Sequence, residues 1–193
     1  MKKLLLLLHA LLALTLVPAV DAQPESAYYG VSIGEFAYSD VAFGQTFNDS
    51  VDSWRLMLGY QLLEHFALEG SYGETSTVRD TASGSLPGSP ELGIETEITN
   101  FLTFRVLGTL PFDNGLSLMA GFGFFVFEQD IIFRVNGVPD VSGEVSNDRG
   151  RPAYYVGAQY DWDRVALRLG YEKFDFDGAA SAEEVALSFF YKL

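Results

Sequence analysis

The segment 185–193, VALSFFYKL, alternates large apolar residues with small or polar ones. Its period of two is that of a β-strand and not that of a helix. We therefore predict a closing strand whose inner face carries Ser188 and Phe190. The outer face carries Val185, Leu187, Phe189, Tyr191 and Leu193. Pairing of this strand with the first strand would close the sheet and leave no free edge.

The start of the chain has the composition of a secretory signal peptide. Lys2 and Lys3 precede an apolar run that ends at Val17, and small residues lead to a predicted cleavage after Ala22. The run is too short for a spanning helix, which needs roughly 20 residues. Residues 1–22 are thus predicted to be a signal peptide and residues 23–193 a single exported domain.

Composition excludes several classes of protein. The 26 acidic and 12 basic residues leave a net charge of −14, which argues against a nucleic-acid partner. A hydrophobic content of 48% argues against disorder. Because the sequence has no cysteine, disulfides and thiolate metal sites are excluded. We predict no cofactor and no resident metal.

The hairpin over residues 54–72 shows the strand pattern most clearly. Its outward residues are Trp54, Leu56, Leu58 and Tyr60 on the first arm and Phe66, Leu68, Gly70 and Tyr72 on the second. An apolar band capped by aromatics at both ends and backed by a polar face is typical of a transmembrane barrel hairpin. A soluble sandwich or a lipocalin, in which the apolar face points inward, is the alternative.

The register of this hairpin follows from the position of its turn. A turn at residues 62–64 would pair Tyr60 with Phe66 and Trp54 with Tyr72. It would also place Arg55 opposite Ser71 and diagonal to Glu69, which lies within reach of a long side chain.

The same alternation recurs along the chain and gives eight predicted strands. Besides the hairpin arms and the closing strand, they cover 27–38, 95–107, 116–128, 152–160 and 165–174. Short connections at 62–64, 109–115 and 161–164 alternate with longer or more polar ones at 39–50, 76–94, 130–151 and 175–181. Short periplasmic turns and longer outer loops are typical of outer-membrane barrels. The predicted fold is all-β, an eight-stranded antiparallel transmembrane β-barrel with up-and-down connections.

Several predicted strands carry short sequence motifs that are informative when taken together. They are GYQ at 59–61, FALEGSY at 66–72, the segment 102–112, VGAQY at 156–160 and LRLGY at 167–171. These stretches resemble the OmpA-like small outer-membrane barrels, and the resemblance covers essentially all of residues 23–193. Such proteins usually end in Phe, which the outer-membrane insertion machinery reads, whereas this sequence ends in Leu193. The larger members continue into a peptidoglycan-binding domain. We expect the barrel domain only, without the cell-wall tether.

Charged and polar residues fall on the predicted inner face. They are Arg55, Glu69, Arg105, Gln159, Arg168 and Glu172. If Tyr160 pairs with Val165, Arg168 faces Gly157 and lies diagonal to Gln159. The family resemblance implies an interior salt-bridge network at such positions. Since an eight-stranded barrel is just wide enough for side chains to fill it, we predict a filled polar interior. A gated conduction path is the alternative.

Outward aromatic residues are predicted to form girdles at the two membrane interfaces. Toward the short turns the girdle comprises Tyr29, Tyr60, Phe66, Tyr160 and Tyr191, and toward the loops it comprises Trp54, Tyr72, Tyr154 and Tyr171. Strict alternation sends Glu35 outward as well, and we place it at the outer rim. Acidic residues of the loops provide the oxygen ligands that Ca²⁺ or Mg²⁺ prefers, but a solvated, self-repelling loop face is the favoured explanation for any one of them.

A catalytic site is not predicted. Some small barrels of this kind modify lipid A with a His at the outer rim, but the only histidine after cleavage is His65, beside a short turn. We therefore predict an outer-membrane protein with a structural or surface-interaction role in envelope integrity. Its expected partners are outer-membrane lipid, lipopolysaccharide, the insertion machinery, and a host or cell-surface ligand of the loops. A narrow passive channel is the alternative, and a lipid A-modifying enzyme is a weaker one.

Overall fold

A computed structural model describes residues 27–42, 45–63, 65–82, 92–135, 141–175 and 181–193. The strands are β1 Ala27–Ala42, β2 Gln45–Leu63, β3 Phe66–Thr75, β4 Val78–Ala82, β5 Leu92–Pro111, β6 Leu116–Val135, β7 Val141–Trp162, β8 Val165–Asp175 and β9 Ser181–Lys192. Because β3 and β4 follow one another along β5, they occupy one position in the wall, which therefore has eight. No helix in the described part of the chain is long and apolar enough to cross a membrane.

The sheet closes on itself. Neighbouring strands pair antiparallel in chain order, and β9 pairs with β1, where Tyr191 lies opposite Tyr29. Beyond the last pair, the Leu193 N–H donates to the Ala27 carbonyl oxygen at 2.9 Å. This confirms the predicted eight-stranded antiparallel up-and-down barrel and the pairing of its last strand with its first.

The strands are staggered around the wall. From Ala27 of β1, the cross-strand partners met in turn are Tyr60, Leu68, Val106, Phe122, Tyr154, Lys173 and Glu183. Glu183 pairs with Ala37, so one circuit returns to β1 displaced by 37 − 27 = 10 residues. Such a stagger tilts the strands by about 40° to the barrel axis. Strands of about ten residues then span a bilayer.

Alternation along each strand separates an apolar outside from a filled inside. On β1, Val31 and Ile33 are 52% and 67% exposed, whereas Ser32 between them is 3% exposed. Leu56 and Phe122, which a soluble barrel would bury, are likewise exposed on the outer wall. We call this outward surface the apolar belt. Its orientation is opposite to that of a lipocalin, so the soluble alternative is not supported.

The predicted register of the β2–β3 hairpin was wrong by two residues. Tyr60 pairs with Leu68 and not with Phe66, which lies opposite Leu63. The turn is tighter than expected, and the ladder is irregular between Gln61 and Leu63. A two-residue shift keeps every side chain on its predicted face, because the period of a strand is two.

Among the residues that the structure describes, three of the four predicted outer loops are largely strand, which corrects their assignment as loops. The β1–β2 ladder continues to Ala42 and Gln45, and the β4–β5 ladder pairs Val78 with Thr96 and Ala82 with Leu92. The β6–β7 ladder likewise reaches Val141. Polar composition was misleading because backbone pairing across a hairpin does not require apolar side chains. The three hairpins extend beyond the apolar belt, whereas β8 ends at Asp175 and β9 begins at Ser181.

Two glycines on adjacent strands provide a matched test of inside and outside. A Cβ on inward Gly59 would come within 2.0 Å of the Tyr28 ring, whereas a Cβ on outward Gly70 would have no neighbour closer than 3.4 Å. We expect Gly59→Ala to lower the free energy of unfolding by about 1–3 kcal/mol through overpacking. Gly70→Ala should change it by less than about 0.5 kcal/mol. Urea titration of the vesicle-reconstituted variants measures both, and equal effects would contradict the assigned faces.

Candidate functional site

Six charged side chains converge inside the barrel, in the space that we call the lumen. Three are arginines and three are glutamates, each at most 5% exposed: Arg55, Arg105, Arg168, Glu69, Glu172 and Glu184. Their formal charges cancel. A buried charge without a partner costs several kcal/mol, so a neutral and hydrogen-bonded set is the arrangement that such a lumen requires.

Glu69 is the best-connected acid of this network. Its Oε1 accepts from Arg105 Nε at 2.8 Å, and its Oε2 accepts from an Arg168 terminal nitrogen at 2.6 Å. The Tyr28 hydroxyl also donates to Oε2, at 3.0 Å. Glu69 thereby ties β3 to β5, β8 and β1.

Glu172 joins the other two arginines. Its Oε2 accepts from Arg105 at 3.1 Å and also from Arg55. Arg55 in turn pairs with Glu184, which accepts from the Ser53 hydroxyl as well. The arginines and glutamates therefore alternate along one connected path.

The path continues to the short-turn end of the barrel. Arg168 Nε donates to Gln159 Oε1 at 2.9 Å, and Gln159 Nε2 donates to Asp161 at 3.0 Å. Asp161 also pairs with Lys192 Nζ at 2.8 Å. Charge-assisted contacts thus run without interruption from Ser53 to Lys192 through the lumen.

A cluster of phenylalanines covers the network on its loop side. This phenylalanine cap consists of Phe36, Phe101, Phe125, Phe127 and Phe174, all at most 7% exposed. The Arg55 guanidinium lies 4.8 Å from the Phe101 ring centroid and 5.3 Å from that of Phe174. Such cation–π geometry joins the charged layer to the apolar one above it.

Aromatic rings also fill the lumen around the other arginines. Arg105 lies 4.1 Å from the Tyr155 ring centroid, and Arg168 lies 4.1 Å from that of Phe190. The Tyr155 hydroxyl occupies the space where Gly157 and Gly170 lack side chains. A cavity beside Arg55 and Glu172 measures about 10 Å³, no more than one water needs. The described side chains therefore fill the lumen at this level.

The structure places all six predicted interior residues on the inner wall, but two of their pairings were wrong. Arg55 lies opposite Gly73 and bonds to Glu172 and Glu184, not to Glu69. Arg168 lies directly opposite Gln159 rather than diagonal to it, because Tyr160 pairs with Leu167 and not with Val165. Both errors are two-residue register shifts, which arise from turns tighter than the sequence indicated.

Sequence reasoning missed the third acid, Glu184, and most of the phenylalanine cap. Extending the alternation of the closing strand back from Ser188 would have placed Glu184 inward. The same extension from Arg168 would have placed Phe174 inward. The missed signal was therefore present, but the predicted closing strand began one residue too late.

The predicted girdle residues lie on the outer wall in two groups. The ring centroids of Tyr29 and Tyr191 lie 5.7 Å apart near the turn end, and those of Trp54 and Tyr72 lie 6.1 Å apart near the loop end. The remaining members are Tyr60, Phe66, Tyr154, Tyr160 and Tyr171, which are exposed or half-exposed. Trp162 extends the turn-end group, with its ring 4.5 Å from that of Tyr160.

The described residues offer no arrangement for metal or histidine chemistry. Among them, no group of three or more His, Asp or Glu side chains could hold a metal ion. His65 is exposed between β2 and β3, where its carbonyl oxygen accepts from the Thr109 N–H at 2.9 Å. The predicted signal peptide, residues 1–22, lies outside the described residues, as do three of the acidic residues in the predicted loops, Glu91, Asp140 and Asp177.

Comparisons with known proteins agree with this geometry. A family profile described as outer membrane protein beta-barrel domain matches residues 6–192. A search of curated proteins found no match to the sequence. Many solved structures match this chain, and three that share the fold at low sequence identity are described next.

Neisserial surface protein A has a TM-score of 0.56 and 12% identity, over 88% of this chain and 100% of its own. Ail, the attachment invasion locus protein of Yersinia pestis, was solved with the heparin analogue sucrose octasulfate. It has a TM-score of 0.53 and 14% identity, over 87% and 99%. The N-terminal β-barrel domain of Pseudomonas aeruginosa OprF has a TM-score of 0.52 and 13% identity, over 88% and 100%.

Proposed function

The chain belongs to the family of outer membrane protein β-barrel domains and lies in the outer membrane, and we propose that its role there is structural and surface-interacting. The observation that carries this proposal is the filled lumen. A neutral Arg–Glu network, a phenylalanine cap and a cavity of about 10 Å³ leave the barrel no path for a solute. A narrow channel is therefore not favoured.

The orientation follows from the two ends of the barrel. The short turns and both described termini share one end, which we assign to the periplasm, and the extended hairpins share the other, which faces outward. Residues 1–22 act as the signal peptide in this proposal. The outward side chains of the closing strand, Val185 to Leu193, serve as the insertion signal.

The hairpins that extend beyond the belt provide the contact surface. One relative was solved with a sulfated polyanion, but a chain with a net charge of −14 suits a neutral or cationic partner better. We place lipopolysaccharide sugars and host or cell surfaces in this class. The buried charged side chains of the lumen have their partners within the chain. We propose no enzyme activity for the lumen.

The proposal is tested in the bacterium that makes the protein. We expect deletion of the gene to increase uptake of a hydrophobic dye, because a barrel that stiffens the envelope has been lost. Complementation with the full chain should restore exclusion of the dye, and so should a variant with residues 136–140 replaced by a Gly-Ser linker. Unchanged dye uptake after deletion would contradict a structural role.

A second measurement tests the barrel itself. Purified protein refolded in detergent should migrate faster on a gel before boiling than after it, because a closed barrel resists unfolding by the detergent of the gel. Co-migration of the two samples, or solubility without any detergent, would contradict a lipid-embedded barrel.

A further inference from the structure

The apolar belt is not equally tall around the barrel. On β5, β6 and β7 the outward positions carry six apolar or aromatic residues in succession, and we call these three strands the tall wall. The residues lie at alternate positions of 102–112, 116–126 and 152–162, where the last residue of the first range directly follows β5. Within these described ranges no outward charge interrupts a run.

The runs on β8 and β1 are shorter. On β8 four residues end at Tyr171, and the exposed Lys173 follows; on β1 four end at Ile33, and the exposed Glu35 follows. Strand β9 lies between these two and carries five, and we call the three strands the short wall. Strands β2 and β3 complete the circuit with five and four. Because outward positions lie two residues apart on tilted strands, a run that lacks two of them is about 10 Å less tall.

Aromatic residues with a polar tip are also missing from part of the tall wall. In the described part of the chain, β5 and β6 have no outward Tyr or Trp, whereas each of the other six wall positions has at least one. Such residues mark the membrane interface, so β5 and β6 are apolar across the levels of both girdles. Their runs are about 25 Å tall, which is the usual height of the apolar band of an outer-membrane barrel. The tall wall therefore matches a membrane of ordinary thickness, and the short wall does not.

The area of the tall wall decides between two occupants, lipid and a second copy of the chain. Three strands are about 15 Å wide, so two tall walls facing each other would bury about 750 Å² of flat surface. Stable protein interfaces bury about 1,200–2,000 Å², and the apolar wall of a second copy would have no advantage over lipid. The tall wall is continuous with the rest of the belt, which lipid covers. Its occupant is therefore lipid as well.

We propose that the barrel acts as a wedge in the membrane, with hydrocarbon of full thickness against the tall wall and thinned hydrocarbon against the short wall. The inference rests on the proposed membrane location and specifies the lipid partner on each side. Every ångström of mismatch carries a modest cost, so shorter acyl chains are favoured beside the short wall. The pair of strands that closes the barrel, β9 and β1, lies within this thinned region.

Two outward residues near the turn end lie at the same height but on different walls. Ladder partners lead from Leu110 of the tall wall to Leu118, Ala158 and then Leu169 of β8. The stagger of ten residues per circuit raises such a row by about four residues over three strands. The height of Leu110 is therefore that of Val165, which precedes Leu169 by four residues on β8.

Arginine at these two positions tests the wedge. In a belt of uniform thickness Leu110 and Val165 would be equally deep in the membrane. In the wedge they are not, because the run on β5 continues beyond Leu110 to the exposed Phe112, whereas Val165 is the last residue of its run. Each arginine variant is folded into vesicles of dioleoyl phosphatidylcholine, and its folding equilibrium constant is measured in urea. Leu110→Ala and Val165→Ala are the matched controls for loss of the apolar side chain.

Relative to its alanine control, we expect Leu110→Arg to lower the folding equilibrium constant at least roughly tenfold, and Val165→Arg less than roughly fivefold. The reason is that the cost of an outward arginine falls from mid-membrane toward the interface. In dilauroyl phosphatidylcholine, whose hydrocarbon is thinner, the loss for Leu110→Arg should fall toward that for Val165→Arg.

Equal losses at the two positions in dioleoyl phosphatidylcholine would overturn the inference in favour of a belt of uniform thickness. A difference that is the same in both lipids would also overturn it, because the cause would then lie within the protein. A difference that depends on the ratio of protein to lipid would overturn it in favour of a second copy on the tall wall. Failure of the wild type to fold into vesicles of either lipid would instead contradict the membrane location on which the inference rests.

Discussion

Replacing Glu69 with alanine is expected to lower the free energy of unfolding by about 3–5 kcal/mol, the usual cost of removing one partner from a buried ion pair. Glu69 accepts from Arg105, Arg168 and Tyr28, and its loss leaves the lumen with a net positive charge. The neighbouring acid cannot compensate, because Glu172 already pairs with Arg55 and Arg105. Urea unfolding of the vesicle-reconstituted barrel measures the change.

The control for this variant is Glu35→Ala. Glu35 carries the same carboxylate on β1 but is exposed on the outer wall, so its removal should change the free energy of unfolding by less than about 0.5 kcal/mol. Comparable losses in the two variants would mean that the interior network contributes no more than surface charge does.

A double-variant cycle separates the interaction between Glu69 and Arg105 from the other contacts that each residue makes. Arg105→Ala removes the partner that contacts both Glu69 and Glu172, and it should also destabilise the barrel. In the double variant Glu69→Ala/Arg105→Ala the charges of the lumen again cancel. The double variant should therefore lose less unfolding free energy than the sum of the losses in the two single variants. The difference should be about 0.5–3 kcal/mol, the range found for residues in contact. Strict additivity would contradict a direct pairing.

The faces of the strands could be read from the sequence because each face obeys a single rule. Lipid requires an apolar outside, so Val31 and Ile33 alternate with Ser32, and a register error of two residues does not disturb this assignment. The interior placement of Arg55, Arg105 and Arg168 followed from the same rule. Closure of the barrel followed from the even number of predicted strands and from the predicted pairing of the last strand with the first.

The partners inside the lumen could not be read in the same way. A long side chain reaches across the barrel, so Arg55 of β2 meets Glu172 of β8 and Glu184 of β9, which are remote in both sequence and ladder. Such contacts depend on the stagger of ten residues around the wall, and the two tight turns that set it were misplaced. The ends of the long hairpins failed for a different reason, since backbone pairing continued through polar segments.

The second large effect concerns ion conduction. The filled barrel is expected to show no steady open levels in planar bilayers. Two barriers lie in series along its axis, the phenylalanine cap and the charged network below it. Truncating the cap with Phe101→Ala/Phe174→Ala should leave the barrel closed, because the Arg–Glu network still occupies the lumen beneath it.

Removing only two network side chains beneath the cap should also leave the barrel closed. Arg55→Ala/Glu172→Ala deletes one charge of each sign, so the lumen stays neutral, while the phenylalanine cap still obstructs it with apolar rings. The quadruple variant removes side chains from both barriers along one line, since Arg55 lies directly under Phe101 and Phe174. It should therefore give steady ohmic conductance where the wild type gives none.

Migration on a gel before and after boiling shows that each variant still forms a barrel. Conductance in the wild type would contradict the closed lumen. Conductance in Phe101→Ala/Phe174→Ala, without any change in the network, would mean that the phenylalanine cap alone closes the barrel. A folded quadruple variant that stays silent would place the obstruction elsewhere, next in order at Tyr155 and Arg105, whose ring and guanidinium lie 4.1 Å apart on the turn side of the network. The order in which barriers must be removed thus tests the layered packing that the geometry implies.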